Sequence, residues 1–129
     1  MNQNSNKKDN KKTGNSGENT ACLFLESKGY IIIEKNYKAF RKEIDIIAHR
    51  DGYIIFAEVK TRSSVKFGVP SESVNFKKRQ HIIFAAKKFL LDNSGLYSKY
   101  QPRFDVIEIY HDKKSGKDYI RHIEAAFIT

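Results

Sequence analysis

Apolar positions recur first at helical spacing, then in alternating runs, then again at helical spacing, and each change of period marks an element. From Gly17 to Lys28, Ala21, Cys22 and Leu25 with the neighbouring Leu23 and Phe24 form a broad apolar stripe. It predicts a helix with Asn15 or Ser16 as N-cap and Gly29 as its stop. Tyr30-Ile31-Ile32-Ile33 then opens a strand that continues near Tyr37, and EIDIIAHRDGYIIFAEVK (43–60) reads as two further strands. A polar loop, TRSSVKFGVP, follows from Thr61 to Pro70. Ile82, Ala85, Ala86, Phe89 and Leu90 recur at helical spacing within a second predicted helix, Glu72 to Leu91, and Asn93-Ser94-Gly95 ends it. RFDVIEIYH (103–111) and Asp118 to Phe127 complete the set as strands. The order α-β-β-β-α-β-β fits a single α/β domain over 16–129, with a mixed central sheet flanked by helices.

Before that domain the pattern is empty. After Met1, residues 2–20 contain no aliphatic or aromatic side chain before their end and are dominated by Asn, Lys and Ser, so 1–15 is expected to be a disordered basic arm. The arm has no apolar core of the kind a secretory signal needs, and no later run is long enough to span a membrane.

The predicted hairpin carries the most chemistry. Asp51-Gly52 suits a type I′ turn, whose two central residues both need positive φ. With those two at the turn, Arg50 pairs with Tyr53, Asp45 faces Glu58, and Glu43 faces Lys60. Side chains alternate faces, so Glu43, Asp45, Glu58 and Lys60 are expected on one face, together with the apolar pair Ile47 and Phe56. Opposed like charges are unfavourable. Asp45 against Glu58 therefore requires a shared proton, a cation such as Lys60, or a bound metal ion. Mg²⁺ takes one or two protein carboxylates and keeps waters or phosphate oxygens elsewhere, and a lysine beside it can hold a phosphate or an attacking water. These are parts for metal-assisted phosphodiester hydrolysis. Alternating charges on a strand also describe a solvated face with weak ion pairs.

Charge narrows the partners. Lys and Arg number 24 against 15 Asp and Glu, a formal net charge of +9. In the first 20 residues Lys7, Lys8, Lys11 and Lys12 stand against Asp9 and Glu18, so most of the excess belongs to the domain. Such a domain favours polyanions, nucleic acid before membrane. The second helix carries Lys77, Lys78, Arg79, Lys87 and Lys88 with no acid from Ser73 to Leu91, either as a phosphate-contacting face or as a solvated one. Cys22 is the single cysteine, so neither an internal disulfide nor a cysteine zinc site can form, and a reducing cytoplasm is the expected compartment. His49, His81, His111 and His122 lack metal-site spacing. Asp105, inside an apolar strand, is expected to be buried with a basic partner such as Arg103.

An acid on the first helix, Glu18, then Asp45, then Glu58-Val59-Lys60 resembles the PD-(D/E)XK arrangement of the restriction-endonuclease-like fold. More closely, GEN (17–19), KNY (35–37), EIDIIA, FAEVKTR (56–62), FGVP (67–70) and RFDVIEI (103–109) in that order resemble the bacterial YraN family, a largely uncharacterised set related in fold to archaeal Holliday-junction resolvases. The resemblance implies Asp45 and Glu58 as ligands of Mg²⁺ or Mn²⁺, with the Val59 carbonyl and Glu18 completing the site and Lys60 as the catalytic lysine. Glu43 would position that lysine, Gln80 would hydrogen-bond near the site, and Lys77, Lys78, Arg79 and Arg62 would contact nucleic acid. Lys42 stands where the family commonly has glycine. Two functions follow from these residues: a metal-dependent DNA endonuclease, with branched or structured DNA among its candidate substrates, or a nucleic-acid-binding module that keeps the fold without hydrolysis. A homodimer is expected by analogy alone.

Overall fold

The computed structural model describes residues 5–62 and 74–128, with side chains from Ser16 onward. Its elements are α1 (Ser5–Ser27), β1 (Ile31–Ala39), β2 (Lys42–Arg50), β3 (Tyr53–Arg62), α2 (Phe76–Asp92), β4 (Gln101–His111) and β5 (Asp118–Phe127). The predicted order holds. The five strands lie in one sheet in sequence order, every neighbouring pair antiparallel except β3 and β4, which run parallel. A parallel pair needs a long crossover, and the segment containing α2 supplies it. The chain thus forms a single α/β domain of the restriction-endonuclease-like kind anticipated above.

The two helices cover opposite faces. Ala21, Cys22 and Leu25 of α1 pack with Ile46, Ala48, Ile55, Ala57, Ile107 and Ile109. Ile82, Ile83, Ala85, Ala86 and Phe89 of α2 pack with Ile44, Ile47, Ile54, Phe56, Phe104 and Val106. A central sheet buried on both faces explains why β3 reads as a nearly continuous apolar run rather than an alternating one. On the α2 side, Phe56, Phe104 and Phe127 stack across three strands, with ring centroids 5.6 and 5.1 Å apart.

Local signals account for most boundaries. Tyr30 N–H bonds to the Leu25 carbonyl and Gly29 N–H to that of Glu26, each at 3.0 Å, with Gly29 at φ +91°, so α1 ends in a Schellman motif. Asp51 and Gly52 have φ +49° and +83°, and the ladder from Arg50↔Tyr53 to Ile46↔Ala57 has the predicted register. Several ends shift by one or two residues, β4 opening at Gln101 rather than Arg103, and three other differences affect the elements around the site. Helix α1 starts at Ser5, upstream of Gly17 and within the segment read as an arm, because its polar extension carries no apolar stripe to announce it. Helix α2 starts at Phe76 rather than Glu72, where the Asn75 side chain accepts the Lys78 N–H at 2.8 Å. Thr61 and Arg62 belong to β3, held by parallel pairing to Ile109 and Tyr110, rather than to the loop. The FGVP segment and Glu72 lie outside the described residues.

Asp105 is fully buried, as expected. Arg103 donates to both its oxygens at 2.9 and 2.8 Å, His122 Nε2 lies 2.7 Å away, and Ala125 N–H adds a bond at 3.1 Å. These partners outweigh the effect of burial and hold its carboxyl below the usual range.

Candidate active site

Strand β2 leaves β3 at the predicted acids. The β2–β3 ladder stops at Ile46↔Ala57, while β3 continues beside β4 to Arg62 and β2 continues beside β1 to Lys42. At the point of divergence alternation fails, for Ile44 packs in the α2-side core and Ile46, two residues on, in the α1-side core. Asn36, across β1 from this point, is held at φ +54°. The simple expectation that Glu43, Asp45, Glu58 and Lys60 share one flat face is thereby corrected. A bend at Asp45 replaces continued pairing.

The bend is stabilised by Asp45 itself. Its Oδ2 accepts the Val59 N–H at 2.8 Å, replacing the lost ladder bond. A residue's N–H and C=O point to the same side of a strand, so the Val59 carbonyl also faces this gap. Asp45 and Glu58 remain within hydrogen-bonding reach of each other. Burial and the Asp45 charge push Glu58 up to about 7, and Lys78 and Lys60 oppose that rise only in part. Burial also raises Asp45, against the pull of the Val59 N–H. Both shifts favour a proton held between the two carboxyl groups.

The other predicted residues gather unequally. Glu18 of α1 is half-buried, and burial with the charges of Asp45 and Glu43 raises its carboxyl against the lowering effect of the Asn36 side chain. Lys60 is half-buried next to Glu108 on β4. Glu43 does not oppose Lys60. It pairs with Lys38 on β1, because β2 has already left β3, and its charge acts on Glu18 and Asp45. Arg62 faces the buried Glu108, Nε to Oε2 at 3.4 Å. Lys77 and Gln80 are exposed on α2, and Gln80 makes no side-chain hydrogen bond among the described residues. Arg79 is half-buried with its guanidinium 6.0 Å from the Phe76 ring centroid.

Three participants were not assigned to this centre from the sequence. Lys78, read only as a phosphate contact, brings its Nζ to 3.8 Å from Glu58 Oε1. Asn36 steadies Glu18. Glu108 lies buried in line with Lys60. Only the KNY segment gave Asn36 any signal; the other two depend on contacts between distant elements.

The chemistry of this donor set fits one hard divalent ion. Glu58 Oε2 is buried with no hydrogen-bond partner, an orphaned carboxylate oxygen that a cation would satisfy. Among the described residues no group of three or more His, Cys, Asp or Glu side chains forms a cage. Mg²⁺ does not require one, since it keeps waters and phosphate oxygens in its shell.

The comparison with known families matches residues 17–109 to the Uncharacterised protein family UPF0102. A UPF0102 protein of Caldanaerobacter subterraneus subsp. tengcongensis is 47% identical over 123 residues, covering 94% of this chain and 99% of its own. One from Caldicellulosiruptor bescii is 49% identical over 117 residues (91% and 98%), and one from Clostridioides difficile 48% over 118 (92% and 98%). With the match extending from the Gly17 helix through the last residues of β4 that flank the site, this chain belongs to the UPF0102 (YraN) family.

Proposed function

We propose that the protein is a Mg²⁺- or Mn²⁺-dependent endonuclease that hydrolyses phosphodiester bonds in DNA, with branched or structured DNA among its candidate substrates. The observation that carries this reading is the Asp45–Glu58 pair. Two half-buried carboxyl groups are held together at a bend in the sheet, one with an unpaired oxygen, and a sheet needing only stability gains nothing from that opposition.

Asp45 and Glu58 would hold the ion, with the Val59 carbonyl beside them and Glu18 reaching from α1. When bound, the ion acts as a Lewis acid on a phosphate oxygen and lowers the pKa of a coordinated water. Lys60 orients the attacking water and offsets charge building on the phosphorus. Lys78 lies 3.8 Å from Glu58 Oε1 and would be free to hold a phosphate if a cation took over that carboxylate.

The test is cleavage of supercoiled, linear, single-stranded and four-way-junction DNA with Mg²⁺, Mn²⁺ or chelator. Asp45→Ala and Lys60→Ala should each reduce cleavage roughly 10²-fold or more. Cleavage that survives both substitutions belongs to a contaminant and sinks the proposal. Metal-independent binding without cleavage under any condition favours a nucleic-acid-binding module on the same fold.

A further inference from the structure

The β1–β2 hairpin is closed by a two-residue turn of unsuitable composition. Ala39 pairs with Lys42, leaving Phe40 and Arg41 at the turn with φ +50° and +71°. Positive φ at both central positions calls for glycine, asparagine or aspartate, which the β2–β3 turn supplies as Asp51-Gly52. Strain in non-glycine residues persists where the surroundings hold it, and it collects at functional positions.

What the strained turn presents is an aromatic ring in solvent. Phe40 is 70% exposed and Phe84 of α2 46%, with centroids 6.1 Å apart and planes at 67°. Lys42 Nζ sits 4.6 Å from the Phe84 centroid and Lys88 Nζ 6.0 Å from that of Phe40. Lys88 is neutralised by Asp92 at 2.9 Å. Arg41 is exposed and Lys42 half-buried against Phe84, and neither forms an ion pair among the described residues. Lys42 stands three strand residues before Asp45, about 10 Å at the rise of a β-strand. About three stacked bases span that length at 3.4 Å each.

We propose that Phe40, edge-on to Phe84 and flanked by Arg41 and Lys42, stacks on an unpaired base of a nucleic-acid strand whose phosphates lead toward Asp45 and Glu58. The inference rests on the nuclease reading and deepens it, because it selects substrates with a base out of the duplex. Aromatic rings stack on any base, and adjacent cations take the backbone. A fully paired duplex offers the ring no free base face. A flap, gap or junction does.

The experiment measures equilibrium binding of the full chain, in chelator, to a blunt duplex and to the same duplex with a splayed single-stranded arm. The wild type should bind the splayed probe about 10-fold more tightly, and Phe40→Ala should abolish that preference while changing blunt-duplex affinity less than twofold. Phe40→Trp should keep it. Phe40→Gly should lose the preference yet melt no lower than the wild type, since glycine relieves the turn; a ring that merely pins the hairpin to α2 would instead lower the melting temperature. Equal affinity of the wild type for both probes overturns the Phe40 assignment, as does an equal loss on both in Phe40→Ala. If metal-dependent cleavage persists in that case, the nuclease reading stands without it. Binding to neither probe overturns the Phe40 assignment, and only the absence of metal-dependent cleavage as well overturns the nuclease reading.

Discussion

At the scale of single residues, the carboxyl pair makes a signed prediction. Glu58 has its folded-state value raised to about 7 from an ordinary 4.5, so the folded chain binds a proton that the unfolded chain releases. The resulting stabilisation is complete below about 4.5 and is lost as pH rises through about 7. In chelator, thermal stability should therefore fall across that window, and Glu58→Gln should flatten the fall and exceed the wild type at pH 8 by on the order of 1–3 kcal/mol. A pH profile identical in the two proteins contradicts the assignment. Divalent metal favours the ionised carboxylate, so added Mg²⁺ should stabilise the wild type more at pH 8 than at pH 5.5. Much of this centre was legible in the sequence. Asp51-Gly52 fixed the register, and register brought Asp45 near Glu58. Lys78 was not legible as a member because α2 reaches the pair only through tertiary packing, and Asn36 was not because the Phe40-Arg41 turn that sets its register gives no turn signal in sequence.

Among elements, the decisive contact is that of α1 with β3. A Cβ added at Gly17 would lie 2.5 Å from Thr61 Oγ1, so the helix approaches the strand as closely as a bare backbone allows. That approach delivers Glu18, the next residue, toward the bend. Gly17→Ala should loosen α1 by about 1 kcal/mol or more despite alanine's better helix propensity, and Thr61→Ala in the same chain should restore it. Alkylation of Cys22, buried on the sheet-facing side of α1, reads the result; unchanged kinetics in Gly17→Ala would refute the tight-docking account. The strands were readable from β-branched and aromatic runs, and the end of α1 from Gly29. The upstream start of α1 was not, for a polar helix leaves no period to detect.

For the molecule as a whole, charge was visible in composition but its arrangement was not. Lys78 and Arg62 turned out to face Glu58 and Glu108, whereas Lys77 stands exposed. Lys77→Ala should therefore reduce the slope of log affinity against log salt by about 1 and weaken binding evenly across DNA sequences. An unaltered slope removes Lys77 from the interface. No helix among the described residues is long and apolar enough to cross a membrane.

The parallel pairing of β3 with β4 sets an order of events during synthesis. Apart from Lys78 and Glu108, every acid and lysine assigned to the bend lies at or before Lys60, yet β3 is paired along its outer edge only from Gln101 onward. Until β4 emerges, β3 is an open apolar edge, and edges of that kind associate with other chains. A chain stopped after Arg62 would contain the divergent strands without the neighbour that holds them. The centre is encoded early and assembled late, so a nascent or truncated chain carries its acids without the geometry to use them.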